Sequence, residues 1–200
     1  MRPVRREEIV DYETYSEGRE AFRARVLEVK RARRVHLGES LTLLFENTLT
    51  IRYQIQEMLR AERIVREADI RHEIDTYNEI LGGEGELGVT LLIEIEDRES
   101  RPAKLRQWWA LPEHLYLELE DGTRVRPGFD PRQRGEERIS SVQYLRFAVG
   151  GRVPVAAAVD LPGLRGEVRL TDEQRRALAE DLAGIEAPVA ATAPAPPTPS

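Results

Sequence analysis

Not one of the 200 residues is a cysteine. That absence removes disulfide frameworks, thiolate catalysis, zinc knuckles and any iron–sulfur cluster self-ligated through the chain's own thiolates. Iron–sulfur chemistry would have to belong to a partner. No stretch approaches the roughly 18 uninterrupted apolar residues of a membrane span, and residues 1–30 have no apolar signal-peptide core, so a soluble, cytoplasmic protein is expected. No repeat recurs at periods of about 20 to 50 residues. HExxH, HxH and P-loop patterns are also missing, which leaves zinc-hydrolase and NTPase readings without motif support. Excess positive charge is absent too: 30 Lys+Arg stand against 36 Asp+Glu, for a net charge of -6. This argues against general duplex binding and makes nucleic acid the less favoured partner, although a local basic patch is compatible with it. No cofactor is identifiable from composition, and a homo-oligomer remains open.

What the chain does contain is enough apolar material, at 40% hydrophobic and 33% charged residues, for one sizeable core. A single domain over residues 1–186 is expected. Residues 17–34 read as a helix with Phe22, Val26 and Val29 at helical spacing. Between Arg19 and Arg34 it carries seven basic residues against Glu20 and Glu28. A strand with both faces covered is expected at 41–46, followed by a cap at Asn47 or Thr48 and helices over about 50–66 and 69–81. The period then changes to two, with Val89, Leu91, Ile93 and Ile95 alternating against polar neighbours. A short helix at 102–109, a hairpin around Asp121-Gly122, and two strands joined by Gly150-Gly151 follow. Residues 128–137 read as a mobile loop, and Thr171 to Gln174 has the spacing of a capping box before a final helix. Ten of the fourteen residues in 187–200 are Ala or Pro, a composition that predicts a disordered tail. The fold class implied is α+β, with a mostly antiparallel sheet and helices packed on one face.

Chemistry is expected on the second helix. At about 100° per residue, Ile51, Ile55, Met58, Leu59 and Val65 form an apolar arc with Glu62 in its middle and Gln54 towards its edge. An unpaired buried carboxylate costs several kcal/mol, so Glu62 should have a cationic partner, a ligand or a retained proton. Arg33 and Arg34 are the best local donors, because a guanidinium holds a carboxylate with two parallel hydrogen bonds. One reading is a closed structural network of Glu62, Gln54 and an arginine. The other is a cleft in which Glu62, with Glu57 or Glu46, binds a metal or transfers a proton. Arg52, Arg60 and Arg63 lie opposite the arc as a basic surface. Residues 84–99 have the reverse sign, with six acids against Arg98, a polarity that suits oriented docking. His72 should face solvent, His36 should sit at a helix end, and His114 should start a strand, so none points to a metal. Of the adjacent Trp108 and Trp109, one should be core and the other an exposed contact.

The run RARRVHLGESLTLLFENTLTIRYQIQEMLRAERI, residues 31–64, resembles the bacterial domain of unknown function 3501 family. So do Glu73-Ile74-Asp75-Thr76-Tyr77-Asn78, the Gly85-to-Glu94 approach and strand, Ser140 to Phe147, and Pro154 to Pro162. The resemblance implies no established activity. Members are often encoded beside a rubrerythrin-like diiron protein and a cysteine-rich iron–sulfur oxidoreductase, which implies an accessory role in redox or oxidative-stress metabolism. The chain has Gln143 where relatives often show His after Ser-Val, and Leu161 where they show His before Pro. If those histidines bind metal in relatives, that site is impaired here.

Three functions follow as expectations. The first is a non-catalytic accessory protein docking to an iron–sulfur oxidoreductase or rubrerythrin-like partner through Gln54, Glu57, Arg60 and Glu62 with Arg33 and Arg34. The second is an enzyme or small-molecule binder, with Glu62, Glu57 and Tyr77 lining a pocket for an anionic ligand or a metal and Arg33, Arg34 or Arg60 anchoring the anion; Asn78 is a further ligand- or partner-binding candidate. The third is RNA binding by the basic first helix.

Overall fold

The computed structural model describes residues 1–133 and 135–185; the tail expected at 187–200 lies outside them. A short 3-10 turn, Arg6–Glu8, precedes α1 (Tyr12–Arg31), which Asp11 caps by accepting from the Glu13 and Thr14 amides. Strands β1 (Arg34–Leu37) and β2 (Leu41–Phe45) follow. Asn47 then opens α2 (Thr48–Glu62) through a reciprocal box with Thr50. After α3 (Glu67–Asn78) come β3 (Leu87–Ile93), α4 (Arg101–Gln107), α5 (Leu111–His114), β4 (Leu115–Glu118), β5 (Arg124–Val125) and β6 (Gly128–Phe129). The chain continues through β7 (Val142–Phe147), β8 (Ala156–Leu161), β9 (Leu164–Arg169) and α6 (Asp172–Leu182), which starts at the expected Thr171–Gln174 box.

The class is α+β, and the antiparallel sheet is divided in two. One sheet has the order β1-β2-β3-β7-β6 and the other β5-β4-β8-β9, with every neighbouring pair antiparallel. One continuous apolar core joins them, with Leu43, Leu91 and Phe147 from the first sheet and Leu117, Ala157 and Val159 from the second. The Gly150-Gly151 turn therefore carries the chain from one sheet to the other instead of closing a hairpin. It can do so because both glycines have positive φ, at 62° and 74°.

The first sheet's opposite face is polar. Arg34, Leu44, Thr90 and Tyr144 form one cross-strand row, and His36, Thr42, Leu92 and Val142 the next. Over one end of this face stand the helices, with a second core of Ile51, Ile55, Leu59, Ile74, Ile80 and Leu81 closed by Val4 and Ile9 from the N-terminal arm. The chain leaving α3 lies so close to the sheet that a Cβ on Gly88 would sit 2.1 Å from the Ile80 carbonyl oxygen. Glycine at position 88 is what lets helix layer and sheet meet.

Three short strands depart from the expected pattern. Arg33 and Arg34 do not extend the first helix: α1 ends at Arg31, and Arg34 begins β1, whose four residues are too few to display a period. The segment expected as a loop contributes the two-residue β6 and a 3-10 turn at Pro131–Gln133. β9 alternates Leu164, Gly166 and Val168 against Arg165, Glu167 and Arg169, an edge strand whose charges oppose further pairing.

Candidate functional site

Glu62 is exposed, as the last residue of α2. The helix stops there because Arg63 adopts the left-handed conformation at φ 53°, and the covering core reaches only Leu59 and Ile64. A position central on the wheel is therefore solvated once the helix runs past what it packs against; Val65, expected in the same arc, is 76% exposed. The expectations of a buried Glu62, of Arg33 or Arg34 as its partner, and of a pocket centred on it are all overturned.

The buried carboxylate that the physics requires to be compensated is Glu46, 1% exposed. It accepts from the hydroxyls of Thr50 at 2.5 Å and Thr90 at 2.7 Å. Lys30 lies within its electrostatic reach: burial lowers the Lys30 pKa, and the charge of Glu46 opposes that shift. Lys30 Nζ also sits 5.6 Å from the centre of the Tyr53 ring. Glu46 is thus stabilised by two hydroxyls and a half-buried ammonium, with no guanidinium bonded to it among the described residues.

Arg33 is buried and committed elsewhere. Its Nε and Nη2 donate to Asp181 at 2.7 and 2.9 Å, and its Nη1 donates to the Val29 carbonyl at 3.1 Å. Asn47 Nδ2 donates to the same aspartate at 3.2 Å. One carboxylate of α6 thereby fixes the end of α1, the start of β1 and the cap of α2. The inward stripe of Leu178 and Leu182 in α6 was the sequence signal that position 181 could face the interior. Arg34 is exposed on the outer face of the first sheet.

Glu57 is held by Arg19, whose Nε and Nη2 donate at 2.8 Å each, and by the Tyr15 hydroxyl at 2.8 Å. Arg60 Nε is 3.6 Å away. The Arg19 fork, followed by the Tyr15 hydroxyl, holds the Glu57 pKa down at about 2, whereas burial beside this carboxylate raises that of Tyr15. Both Glu57 oxygens are thus already engaged by protein donors. Among the described residues no three His, Asp or Glu side chains are grouped to hold a metal ion. Asn78 is a structural clasp: its side chain accepts from the Val4 amide at 2.9 Å and donates to the Val4 carbonyl at 3.0 Å. Gln56 grips Val10 in the same way, at 2.7 and 3.2 Å. Gln54 is half-buried and makes no hydrogen bond among the described residues.

Tyr77 does line a groove. About 690 Å³ of open space lies between α3 and the β6–β7 edge, bordered by Glu73, Tyr77, Arg132, Tyr144 and Arg146. Burial raises the pKa of both tyrosines, and Tyr77 also feels Tyr144, Glu73 and Glu62. The predicted residues consequently divide into three places. Glu57 and Arg60 meet between α1 and α2; Glu46 lies beneath the helices; Tyr77 faces the groove with Glu62 at a distance. Sequence reasoning missed Tyr144, although the alternation of 141–149 places it opposite Leu145 and Phe147 and therefore on the outer face. Gln143 and Leu161 both turn into the core between the sheets, Gln143 with its Nε2 donating to the Ser140 and Val142 carbonyls.

Two antiparallel sheets around a shared core, with a helix layer tied down by polar clasps over one face of the first sheet, define an α+β protein. The chain belongs to the DUF3501 family, described as "Protein of unknown function (DUF3501)", whose model matches residues 3–182. It is similar, at 31% identity and a TM-score of 0.83, to a novel protein of unknown function from Burkholderia pseudomallei K96243 solved by crystallography, covering 90% of this chain and 100% of that one. No curated protein matches it. No helix among the described residues is long and apolar enough to cross a membrane.

Proposed function

We propose that this chain is a non-catalytic accessory protein of a redox system, docking an iron–sulfur oxidoreductase or a rubrerythrin-like diiron protein. The docking surface moves from the α2 face to the outer face of the first sheet. The carrying observation is that Val142 and Tyr144, 37% and 38% exposed, stand on one face of β7 in line with Arg146, with Arg34 at the far end of the cross-strand row of Tyr144. Neither guanidinium makes a hydrogen bond or ion pair among the described residues. Tyrosine and arginine around an apolar centre is the composition from which interface hot spots are built. The charged groups of the α2 face, by contrast, are partly consumed internally. The redox character of the partner rests on the gene neighbours of the family described above.

The alternative, a small-molecule binder with an anion held by arginine, loses its Glu62 centre. RNA binding by α1 draws little support, because Arg19, Arg31 and Arg33 are engaged by Glu57, Glu28 and Asp181. Affinity capture of the tagged full chain from its native cell, with iron analysis of what is retained, tests the docking reading. An iron-containing partner should be recovered, released by added salt, and lost with Tyr144→Ser or Arg146→Glu at unchanged thermal midpoint. Recovery of nothing, or recovery indifferent to both substitutions, overturns it.

A further inference from the structure

A separate cavity of about 190 Å³ opens where the start of α1, the last turn of α2 and the first turn of α3 converge. That is the volume of about six water molecules, too small for a folded partner and large enough for a compact metabolite. Its walls are Tyr12, Tyr15, Leu59, Ile64 and Ile70, and Arg60 lines it beside them. Tyr12 and Val65, 48% and 76% exposed, stand at its edge as large apolar groups left uncovered.

The charged and amide side chains around this cavity are committed, with one exception. Asp11 accepts from the Glu13 and Thr14 amides and the Thr14 hydroxyl. Arg6 is bonded to Glu67 and to the Ile9 carbonyl. Gln56 is clasped to Val10. Arg60 is the exception: its Nε is buried without a hydrogen-bond partner, and the guanidinium makes no hydrogen bond among the described residues. Its nearest anion, Glu57 at 3.6 Å, already accepts from Arg19 twice and from Tyr15. Glu57 offsets the charge of Arg60 but leaves its donors unused. A guanidinium whose Nε side lies against Glu57 and whose donors make no hydrogen bond, at one side of an aromatic and aliphatic wall, is complementary to one kind of molecule: an anionic planar head on an apolar body.

We propose that this cavity binds a small monocarboxylate with an apolar or aromatic body, its carboxylate on Arg60 and its body against Tyr12, Leu59 and Ile70. The site is distinct from the sheet face proposed for docking and does not depend on it.

Titration of the full chain with phenylacetate, followed by NMR of the Ile and Leu methyls, tests the proposal. The shifts should saturate and concentrate at Leu59, Ile64 and Ile70. Phenylacetamide, which keeps the shape and loses the charge, should bind roughly ten- to a hundredfold more weakly, as should the Arg60→Met variant. Ile70→Trp fills the cavity from α3, the helix that carries neither Glu57 nor Arg60, and should abolish binding, so a folding defect in the Arg60 variant would not decide the matter alone. Absence of saturation up to about 10 mM overturns the proposal. So does equal binding of the amide, which would reveal only an apolar void.

Discussion

The core between the two sheets and the core under the helices are closed by different means. Between the sheets, the side chains of Leu43, Leu91, Leu117, Phe147 and Ala157 are at most 1% exposed and interdigitate with few polar atoms among them. Under the helices the hydrocarbon layer is thinner, and its borders are pinned by Asn78 on Val4, Gln56 on Val10, Arg19 on Glu57 and Arg33 on Asp181. Hydrocarbon burial is non-directional, so the first core fixes the fold with little dependence on pH. Polar clasps are directional and titratable, so the second decides how helices and N-terminal arm are placed and responds to pH and single-atom changes. Both candidate binding regions border this second layer.

The largest effect should come from the apolar side of the comparison. Phe147→Ala empties a fully buried site and should destabilise the whole molecule by about 3–5 kcal/mol, with fluorescence and circular dichroism reporting one coincident transition. Separate transitions for the two layers would show that they do not unfold together. Next comes the clasp that touches both layers. Asp181→Ala leaves the Arg33 charge buried and Asn47 short of an acceptor, at a cost of about 3 kcal/mol. The double variant Arg33→Met with Asp181→Leu should recover most of that loss in urea unfolding; no recovery would mean that the pair is needed for more than its own neutralisation.

The same division governs what could be read from the sequence. Strands β2, β3 and β7 and the helices α2, α3 and α6 were legible, because each repeats a period over enough residues to face a hydrocarbon core. β1 with four residues and β6 with two could not be found that way, since neither is long enough to display a period. In the candidate site the failure is instructive. A helical wheel gives the direction in which Glu62 points and says nothing about how far the covering layer extends, and that layer ends before it. Glu46 obeyed the rule applied to Glu62, but its compensating hydroxyl on Thr90 is forty-four residues away. Asp181, likewise, meets Arg33 across 148 positions of sequence.

A smaller effect, and one with a pH signature, is expected at Glu57. Its pKa is lowered from the ordinary 4.5 to about 2 by Arg19 and Tyr15. The stability it contributes is therefore present above about pH 5 and is lost as the pH falls through about 2. Glu57→Gln should cost on the order of 1 kcal/mol at neutral pH, after allowance for solvent screening of a partly exposed pair. Thermal midpoints of variant and parent should converge in acid. A difference constant from pH 7 to pH 2 would show that the charge of Glu57 contributes nothing and that only its packing matters.

The smallest effect belongs to the clasp on the N-terminal arm, and it separates hydrogen bonding from shape. Asn78→Ala removes both bonds to Val4 and should cost about 1 kcal/mol or less, because water can reach part of the freed backbone. The loss should be local: faster amide exchange in residues 1–10 with the inter-sheet strands unchanged. Asn78→Asp is the sharper variant. The introduced carboxylate can still accept from the Val4 amide but faces the Val4 carbonyl oxygen with no proton to donate, so at neutral pH it should be worse than alanine. That repulsion raises its folded-state pKa above the unfolded value, so protonation restores the donor and the arm should close again as the pH falls through the folded value. Exchange in residues 1–10 that ignores pH in this variant would mean that the arm is held by Val4 and Ile9 in the hydrocarbon layer alone, and that the two cores differ less than their hydrogen bonds imply.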